Sequence, residues 1–135
     1  MIHFDTSFLV DHMRESARNK PGPATVFLEH LDDEEEPAIS VFVLCELYAG
    51  VGLYAKPAEE LEKLERICSR LHVDYPDETY APAFGRLLAR LTRAGQTVST
   101  MDLLIATSAI LREAPLVTRN VKDFAKVPDL RVIGY

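Results

Sequence analysis

The 135-residue chain has few cysteines and no long apolar segment, and both shortages limit what it can be. Its two cysteines, Cys45 and Cys68, lie within apolar helical patterns. This predicts buried free thiols in a reducing cytosol and argues against a disulfide scaffold. No stretch approaches the roughly 20 apolar residues that a membrane span requires. Residues 1–5 lack the basic region and apolar run of a signal peptide. We therefore expect a cytoplasmic protein.

The chain is also short of positive charge. It contains 15 Lys and Arg residues against 21 Asp and Glu residues, which gives a net charge of −6. Proteins that bind nucleic acid gain affinity mainly by neutralising phosphates with Lys and Arg, so this balance argues against an ordinary nucleic-acid binder. Bound cations would remove the conflict, because they make an acidic pocket attractive to phosphate.

Several catalytic and metal-binding motifs are absent. The chain has no GxxxxGK[ST] loop, which argues against a nucleoside triphosphatase, and no evident Ser-His-Asp or Cys-His arrangement. No Cys or His pair has the spacing of zinc ligands. The histidines are scattered, and we expect them to be surface or packing residues: His3, His12, His30 and His72.

What the chain does contain is an alternation of short apolar runs with helical patterns. The predicted strands cover residues 2–5, 38–40, 72–74, 116–118 and 130–133. Strands that alternate with helices favour a parallel sheet covered on both faces. The length suits one hydrophobic core. We therefore predict a single α/β domain over residues 1–135, a three-layer α/β/α sandwich with a short, mostly parallel sheet.

Helix ends and faces can also be predicted. The first helix should end near Met13, Pro57 should begin another, and Gly95 should close the long helix that starts near Tyr80. In the helix after the second strand, apolar residues at positions i, i+3, i+4 and i+7 predict the buried face. They are Val41, Leu44, Cys45 and Tyr48.

Acidic side chains follow or flank the predicted strands. Asp5 closes the first strand, Asp102 lies in the first turn of the helix before the fourth, and Asp123 follows the fourth. Glu46 lies in the helix after the second strand. In open parallel sheets, ligands bind beyond the carboxyl ends of the strands. These four acids could therefore converge on one cleft.

Each acid also has a purely structural interpretation. Asp5 has the position of a helix N-cap, and Asp102 has capping-box spacing from Ser99. Glu46 could be a solvent-facing helix residue, and Asp123 could cap a turn. A cluster of unpaired carboxylates, however, persists mainly when a cation neutralises it. All-oxygen ligation points to Mg²⁺ or Mn²⁺, and such a site suits phosphodiester hydrolysis.

Four segments of the chain resemble, in order, the four motifs of PIN-domain toxins of the VapC type. They are Asp5-Thr6-Ser7, residues 44–50 (LCELYAG), residues 102–106 (DLLIA) and residues 118–124 (TRNVKDF). Each motif is weak alone, whereas four in this order at these spacings are a strong signal. The resemblance spans essentially the whole chain.

The resemblance implies a role for each matching residue. Asp5, Glu46 and Asp102 match the family's core acids, with Asp5 and Asp102 as the expected direct ligands of Mg²⁺ or Mn²⁺. The fourth acidic position fits Asp123, while Asn120 stands where some relatives have an acid. The residues expected to support the acids are Thr6, Thr118 and Asn120, and the hydroxyl at position 118 matches the one that supports the first acid.

The resemblance further implies endoribonuclease activity on structured RNA such as tRNA or ribosomal RNA. It also implies a homodimer and inhibition by a cognate VapB-like antitoxin that covers the cleft. Two basic groups are candidates to contact RNA phosphates. One flanks the site (Arg119, Lys122 and Lys126), and the other lies on the long helix (Arg86, Arg90 and Arg93).

Three other interpretations stay open at this point. A receiver domain needs an acceptor Asp at the end of a mid-chain strand and a paired acid early in the chain, whereas Asp5 stands alone. A phosphatase with a DxD loop needs a second Asp where this chain has Ser7. A non-catalytic PIN-like binding module would keep the acids for structure alone.

Overall fold

A computed structural model describes all 135 residues, and its centre is a five-stranded sheet. The strands are β1 (Ile2–Phe4), β2 (Pro37–Ser40), β3 (His72–Asp74), β4 (Leu116–Val117) and β5 (Val132–Ile133). They lie in the order β3-β2-β1-β4-β5, and every neighbouring pair is parallel. Receiver domains have the strand order 2-1-3-4-5 instead, so the receiver interpretation is wrong.

Seven helices connect or flank these strands. They are α1 (Thr6–Ala17), α2 (Pro23–Glu29), α3 (Val41–Val51), α4 (Pro57–Cys68), α5 (Tyr80–Arg93), α6 (Thr100–Leu111) and α7 (Val121–Phe124). Parallel strands need crossover connections, which place helices on the faces of the sheet and bury it. The predicted parallel α/β sandwich is therefore confirmed. No helix combines the length and apolar character needed to traverse a bilayer.

The helix ends follow from local chemistry. The hydroxyls of Ser40 and Ser99 cap α3 and α6, where they accept hydrogen bonds from backbone N–H groups of the first turn. Pro57 begins α4 as predicted, because its missing N–H costs nothing in the first turn. Gly95 follows the end of α5 with φ of 67°, a conformation that favours glycine.

Helix α1 continues to Ala17, four residues beyond the predicted end near Met13. The Glu15 carboxylate near its end accepts hydrogen bonds from three backbone N–H groups around the start of α2, those of Gly22, Ala24 and Thr25. These N–H groups have no partner within their own helix, and negative charge is favourable beside them. The contact stabilises the last turn of α1 and holds α2 against it.

The predicted buried face of α3 is wrong. Val43, Leu47 and Val51 are the buried residues of this helix, whereas Cys45 and Tyr48 are exposed. Almost every residue of α3 is apolar, so its hydrophobic pattern does not single out one face. Both cysteine thiols are free as expected, but Cys45 is exposed and Cys68 is only half-buried.

His3 is a polar side chain within the core of the sheet. It is 1% exposed, and its Nε2 atom has no hydrogen-bond partner. Burial lowers its pKa from 6.5 to about 4, although the nearby Asp74 carboxylate opposes this shift. Arg112, His72 and the amino terminus lower the pKa further. At neutral pH His3 is therefore uncharged, and its 3.9 Å approach to Asp74 is not an ion pair.

The neutral state of His3 predicts a loss of stability in acid. A histidine whose folded pKa is depressed stabilises the fold above its unfolded pKa of 6.5, and this contribution is lost as pH falls toward 4. Between pH 7 and pH 4.5, the unfolding free energy should fall by about 2–3 kcal/mol through this group. Denaturant unfolding at both pH values should show a smaller acid loss in His3→Leu than in the wild type. The exposed His30→Leu should behave like the wild type, and equal acid losses in all three proteins would contradict the assignment.

Candidate active site at the carboxyl ends of the strands

The acidic cleft lies at the topological switch point of the sheet, between β1 and β4. From β1 the chain proceeds to β2 on one side of the sheet, whereas β4 joins β1 on the other side. Ligands of open α/β sheets bind at such switch points, beyond the carboxyl ends of the strands. Asp5 directly follows β1, and Thr118 directly follows β4. The backbone N–H of Asp5 donates to the Val117 carbonyl at 3.0 Å, which holds the two strand ends together.

The Asp5 carboxylate is 3% exposed and is held by two hydroxyl groups. Its Oδ2 atom accepts hydrogen bonds from Thr118 Oγ1 at 2.7 Å and from Ser7 Oγ at 3.0 Å. Its backbone has the extended conformation of an N-cap, but its side chain caps no N–H group of α1. The capping interpretation of Asp5 is therefore wrong, and its carboxylate is directed to other partners.

Glu46 is joined to the first motif by a hydroxyl group as well. Thr6 Oγ1, at the start of α1, donates to Glu46 Oε1 at 2.7 Å. The side chain is half-buried in the middle of α3, so it is not an ordinary solvent-facing glutamate. Asp5 and Thr6 are adjacent in the chain, and this bond brings the Glu46 carboxylate beside Asp5.

Asp102 is the acid whose pKa the other three acids affect. It lies in the first turn of α6, and its backbone N–H donates to the Ser99 hydroxyl, so the predicted cap is present. Burial raises the pKa of the Asp102 carboxyl, and a hydrogen bond with Ser99 partly opposes the shift. Repulsion from Asp5, Asp123 and Glu46 raises this pKa further. The fold therefore brings the four acids into one electrostatic neighbourhood.

The two candidates for the fourth acidic position differ in their surroundings. Asp123 is exposed in the first turn of α7, and its charge acts on Asp102. Asn120 is the residue before α7, and its side chain caps no N–H group of that helix. The backbone N–H of Asn120 instead donates to Thr118 Oγ1 at 3.0 Å. Asn120 thus contacts the site through its backbone N–H group and not through its side chain.

The spacing and chemistry of the donors restrict which cation they could hold. The side chains offer carboxylate and hydroxyl oxygens, and no group of three His, Cys, Asp or Glu side chains is close enough to hold one ion between them. Mg²⁺ is commonly bound by one or two carboxylates with several waters retained. This donor set fits such an ion and does not fit structural zinc.

The basic residues near the cleft differ in how available they are. Arg119 donates from Nη1 to Asp11 Oδ1 at 2.6 Å, and the Tyr135 hydroxyl donates to the other oxygen of Asp11. Lys122 is exposed and forms no ion pair. On the long helix, Arg90 pairs with an aspartate of the loop before β5.

Ser7 and Asp11 are contacts of this site that sequence reasoning did not assign. Ser7 belongs to the first motif, but no role was predicted for it; its hydroxyl bonds Asp5. Asp11 forms an ion pair with Arg119. The two lie four residues apart on α1, so they share one face of the helix. The spacing in the sequence predicts that Ser7 and Asp11 share a face of α1, but it does not predict which loop packs against that face.

These features define a small parallel α/β domain with an acidic cleft at its topological switch point, and the chain is similar to known proteins. A family model described as PIN domain matches residues 2–130. Ribonuclease VapC19 from Mycobacterium tuberculosis (strain ATCC 25618 / H37Rv) is 35% identical over 127 residues, 94% of each chain. Ribonuclease VapC2 from Rickettsia felis is 37% identical over 103 residues, 76% of this chain and 77% of that protein.

Similarity in structure extends over the whole chain. The crystal structure of VapBC2 from Rickettsia felis, bound to a DNA fragment from its promoter, matches with a TM-score of 0.90 and 32% identity. The match covers 100% of this chain and 99% of that one. The chain belongs to the PIN-domain family and, within it, to the VapC proteins. PIN-domain ribonucleases are in general dependent on divalent metal ions.

The repulsion at Asp102 predicts a stability change on substitution. Its pKa is raised in the folded state, so the ionised carboxylate destabilises the fold at neutral pH. In a chelator at pH 7, Asp102→Asn should melt a few degrees above the wild type. The difference should shrink as pH falls and the wild-type carboxyl takes up its proton. Asp33→Asn, at an exposed loop position, is the control and should leave the melting temperature unchanged. A lower melting temperature for Asp102→Asn would rule out net repulsion at this position.

Proposed function

We propose that this protein is a Mg²⁺-dependent endoribonuclease, the toxin component of a VapBC-type toxin–antitoxin pair, and that its 135 residues act as one PIN domain. The observation that carries the proposal is the acidic cleft at the β1/β4 switch point, where a buried Asp5 is held by hydroxyls beside three further acids. Membership of the VapC group and relatives named as ribonucleases support RNA as the substrate.

The proposed metal site uses the four acids in different ways. Asp5 and Asp102 are the proposed direct ligands, and Glu46 and Asp123 complete the site with retained waters. Asp123, rather than Asn120, is the proposed fourth acid, because its charge acts on Asp102. A bound Mg²⁺ would supply Lewis-acid stabilisation of the phosphate and a water of lowered pKa.

The protein's own residues have three tasks in this proposal. Thr6, Ser7 and Thr118 orient the carboxylates, because each hydroxyl bonds a carboxylate oxygen of the cluster. Glu46 keeps one oxygen without a hydrogen bond, and this atom is available to accept a proton from a water beside it. Lys122 and Arg119 are proposed to contact RNA phosphates. Arg119 would then give up its ion pair with Asp11.

Loss of cleavage in Asp5→Asn is the direct test of this function. The change keeps the shape of the side chain but removes the charge that would bind the cation. We expect the cleavage rate of total RNA in Mg²⁺ to fall at least about 100-fold. Asp33→Asn should cleave like the wild type, and cleavage by the wild type should stop in a chelator. If the pure, folded wild type cleaves no RNA in Mg²⁺ or Mn²⁺, the chain is instead a non-catalytic PIN-like module.

A groove between α1, α2 and α4 supports the proposed antitoxin partner. It has a volume of about 630 Å³, and its apolar lining includes Leu9, Met13 and Ile67. Arg66 and Arg70 also line it and make no ion pair with an acidic side chain, in a chain that is acidic overall. An amphipathic antitoxin segment with acidic residues beside its apolar face would fit this surface. We further propose a homodimer in the cytoplasm, where the RNA substrate is found.

Reversal of charge on this groove should separate antitoxin binding from catalysis. Arg66→Glu combined with Arg70→Glu should weaken binding of the cognate antitoxin at least about tenfold, because two favourable charges become repulsive. Calorimetry of the purified pair measures the affinity, and RNA cleavage by the free toxin should stay unchanged. Arg131→Glu, at an exposed position outside the groove, is the control and should leave the antitoxin affinity unchanged. Unchanged antitoxin affinity in the double variant would place the partner elsewhere.

A further inference from the structure

The Ser7 hydroxyl lies between the first motif and the turn that follows β4. Ser7 is the second residue of α1 and is only 8% exposed. Its Oγ atom lies 3.0 Å from Asp5 Oδ2, 3.2 Å from the backbone nitrogen of Arg119 and 3.3 Å from Thr118 Oγ1. The Tyr135 hydroxyl also lies near Ser7. A buried hydroxyl with several polar neighbours has its proton direction set by their chemistry.

Consecutive backbone N–H groups of the turn after β4 set that direction. The N–H of Arg119 donates to Ser7 Oγ, and the N–H of Asn120 donates to Thr118 Oγ1. A hydroxyl has one proton to give. With an N–H already donating to each oxygen, each proton is free to go to the strongest acceptor in reach, the Asp5 carboxylate. A hydrogen bond to a charged acceptor is stronger than one between neutral hydroxyls.

As a result, the two oxygens of Asp5 differ in their availability. Oδ2 receives two protons, whereas Oδ1 receives none, because the side chain caps no N–H group of α1. Glu46 shows the same asymmetry, since Thr6 donates to Oε1 and no group donates to Oε2. Consecutive hydroxyls, those of Thr6 and Ser7, therefore each occupy one oxygen of a different carboxylate.

On the basis of the proposed metal site, we propose that Ser7, together with Thr118, is a positioning residue that restricts Asp5 to single-oxygen ligation, which makes the site selective for Mg²⁺ over Ca²⁺. Mg²⁺ requires six ligands in near-octahedral geometry and usually takes one oxygen from each carboxylate. Ca²⁺ takes six to eight ligands and often binds both oxygens of a carboxylate. A carboxylate with one oxygen already hydrogen-bonded to two hydroxyls can give Ca²⁺ only its other oxygen, so it cannot bind Ca²⁺ through both oxygens.

The test compares the two cations in melting experiments, which need no RNA cleavage. The rise in melting temperature with Mg²⁺ or Ca²⁺ concentration gives an apparent Kd for each cation. In the wild type, Mg²⁺ should bind at least about tenfold more tightly than Ca²⁺. In Ser7→Ala, the ratio of the Ca²⁺ Kd to the Mg²⁺ Kd should fall about tenfold, as is typical when the partner of a ligand is removed.

Matched substitutions control for a general loss of packing. Ser108→Ala removes another buried helical serine hydroxyl, one that bonds the Leu104 carbonyl and lies outside the acidic cleft, and should keep the wild-type ratio. Ser7→Thr keeps a hydroxyl and should keep most of the selectivity. Thr118→Val removes the other hydroxyl on Asp5 Oδ2 and tests the same effect if Ser7→Ala does not fold, and Thr107→Val, whose hydroxyl bonds the Leu103 carbonyl, is its control.

The outcomes separate this inference from the proposed function. If the wild type binds Mg²⁺ and cleaves RNA, but Ser7→Ala and Thr118→Val weaken the binding of both cations by the same factor, the hydroxyls are merely structural and the inference is wrong. Equal binding of Ca²⁺ and Mg²⁺ by the wild type would overturn it as well. If the wild type shows no melting response to any divalent cation, the proposed function itself fails.

Discussion

A carboxylate buried at the junction of two parallel strands is the constraint on which the acidic cleft depends. Asp5 is almost inaccessible to solvent, and a charge in such a place is tolerable only when hydrogen bonds compensate it. One of the two hydroxyls that do so, that of Thr118, comes from a strand end 113 residues away. The contacts that stabilise this charge therefore also join the first motif to the last, and they require β1 and β4 to be paired.

The remaining acids lower the stability of the fold, and they supply negative charge that would bind a cation. Asp102 is half-buried and is repelled by Asp5, Glu46 and Asp123, so the charged cluster by itself opposes its own assembly. Burial elsewhere must offset this cost, as it does in the core around Phe4 and Phe8. A hard cation would relieve the repulsion and reverse the local charge, which reconciles a net charge of −6 with an RNA substrate.

Much of the fold was predictable because strand and helix patterns are local properties of the chain. The order of the elements, the caps at Ser40 and Ser99 and the stop at Gly95 follow from residues close in sequence. Predictions that needed knowledge of distant contacts went wrong. Cys45 is exposed because an almost wholly apolar helix does not reveal its buried face, and α1 runs on because Glu15 reaches the start of α2.

The sequence by itself determined which acids could act together, because their motif order and their places after parallel strands predict one cleft. It did not determine which oxygen of each acid stays free. That was decided by the tertiary structure, which brings the N–H group of Arg119 to the Ser7 hydroxyl and the Thr118 hydroxyl to Asp5. The physical reason is that a hydroxyl gives its one proton to the strongest acceptor in reach, and the groups that fix this choice are distant in sequence: Arg119 lies 112 residues from Ser7, and Thr118 lies 113 residues from Asp5.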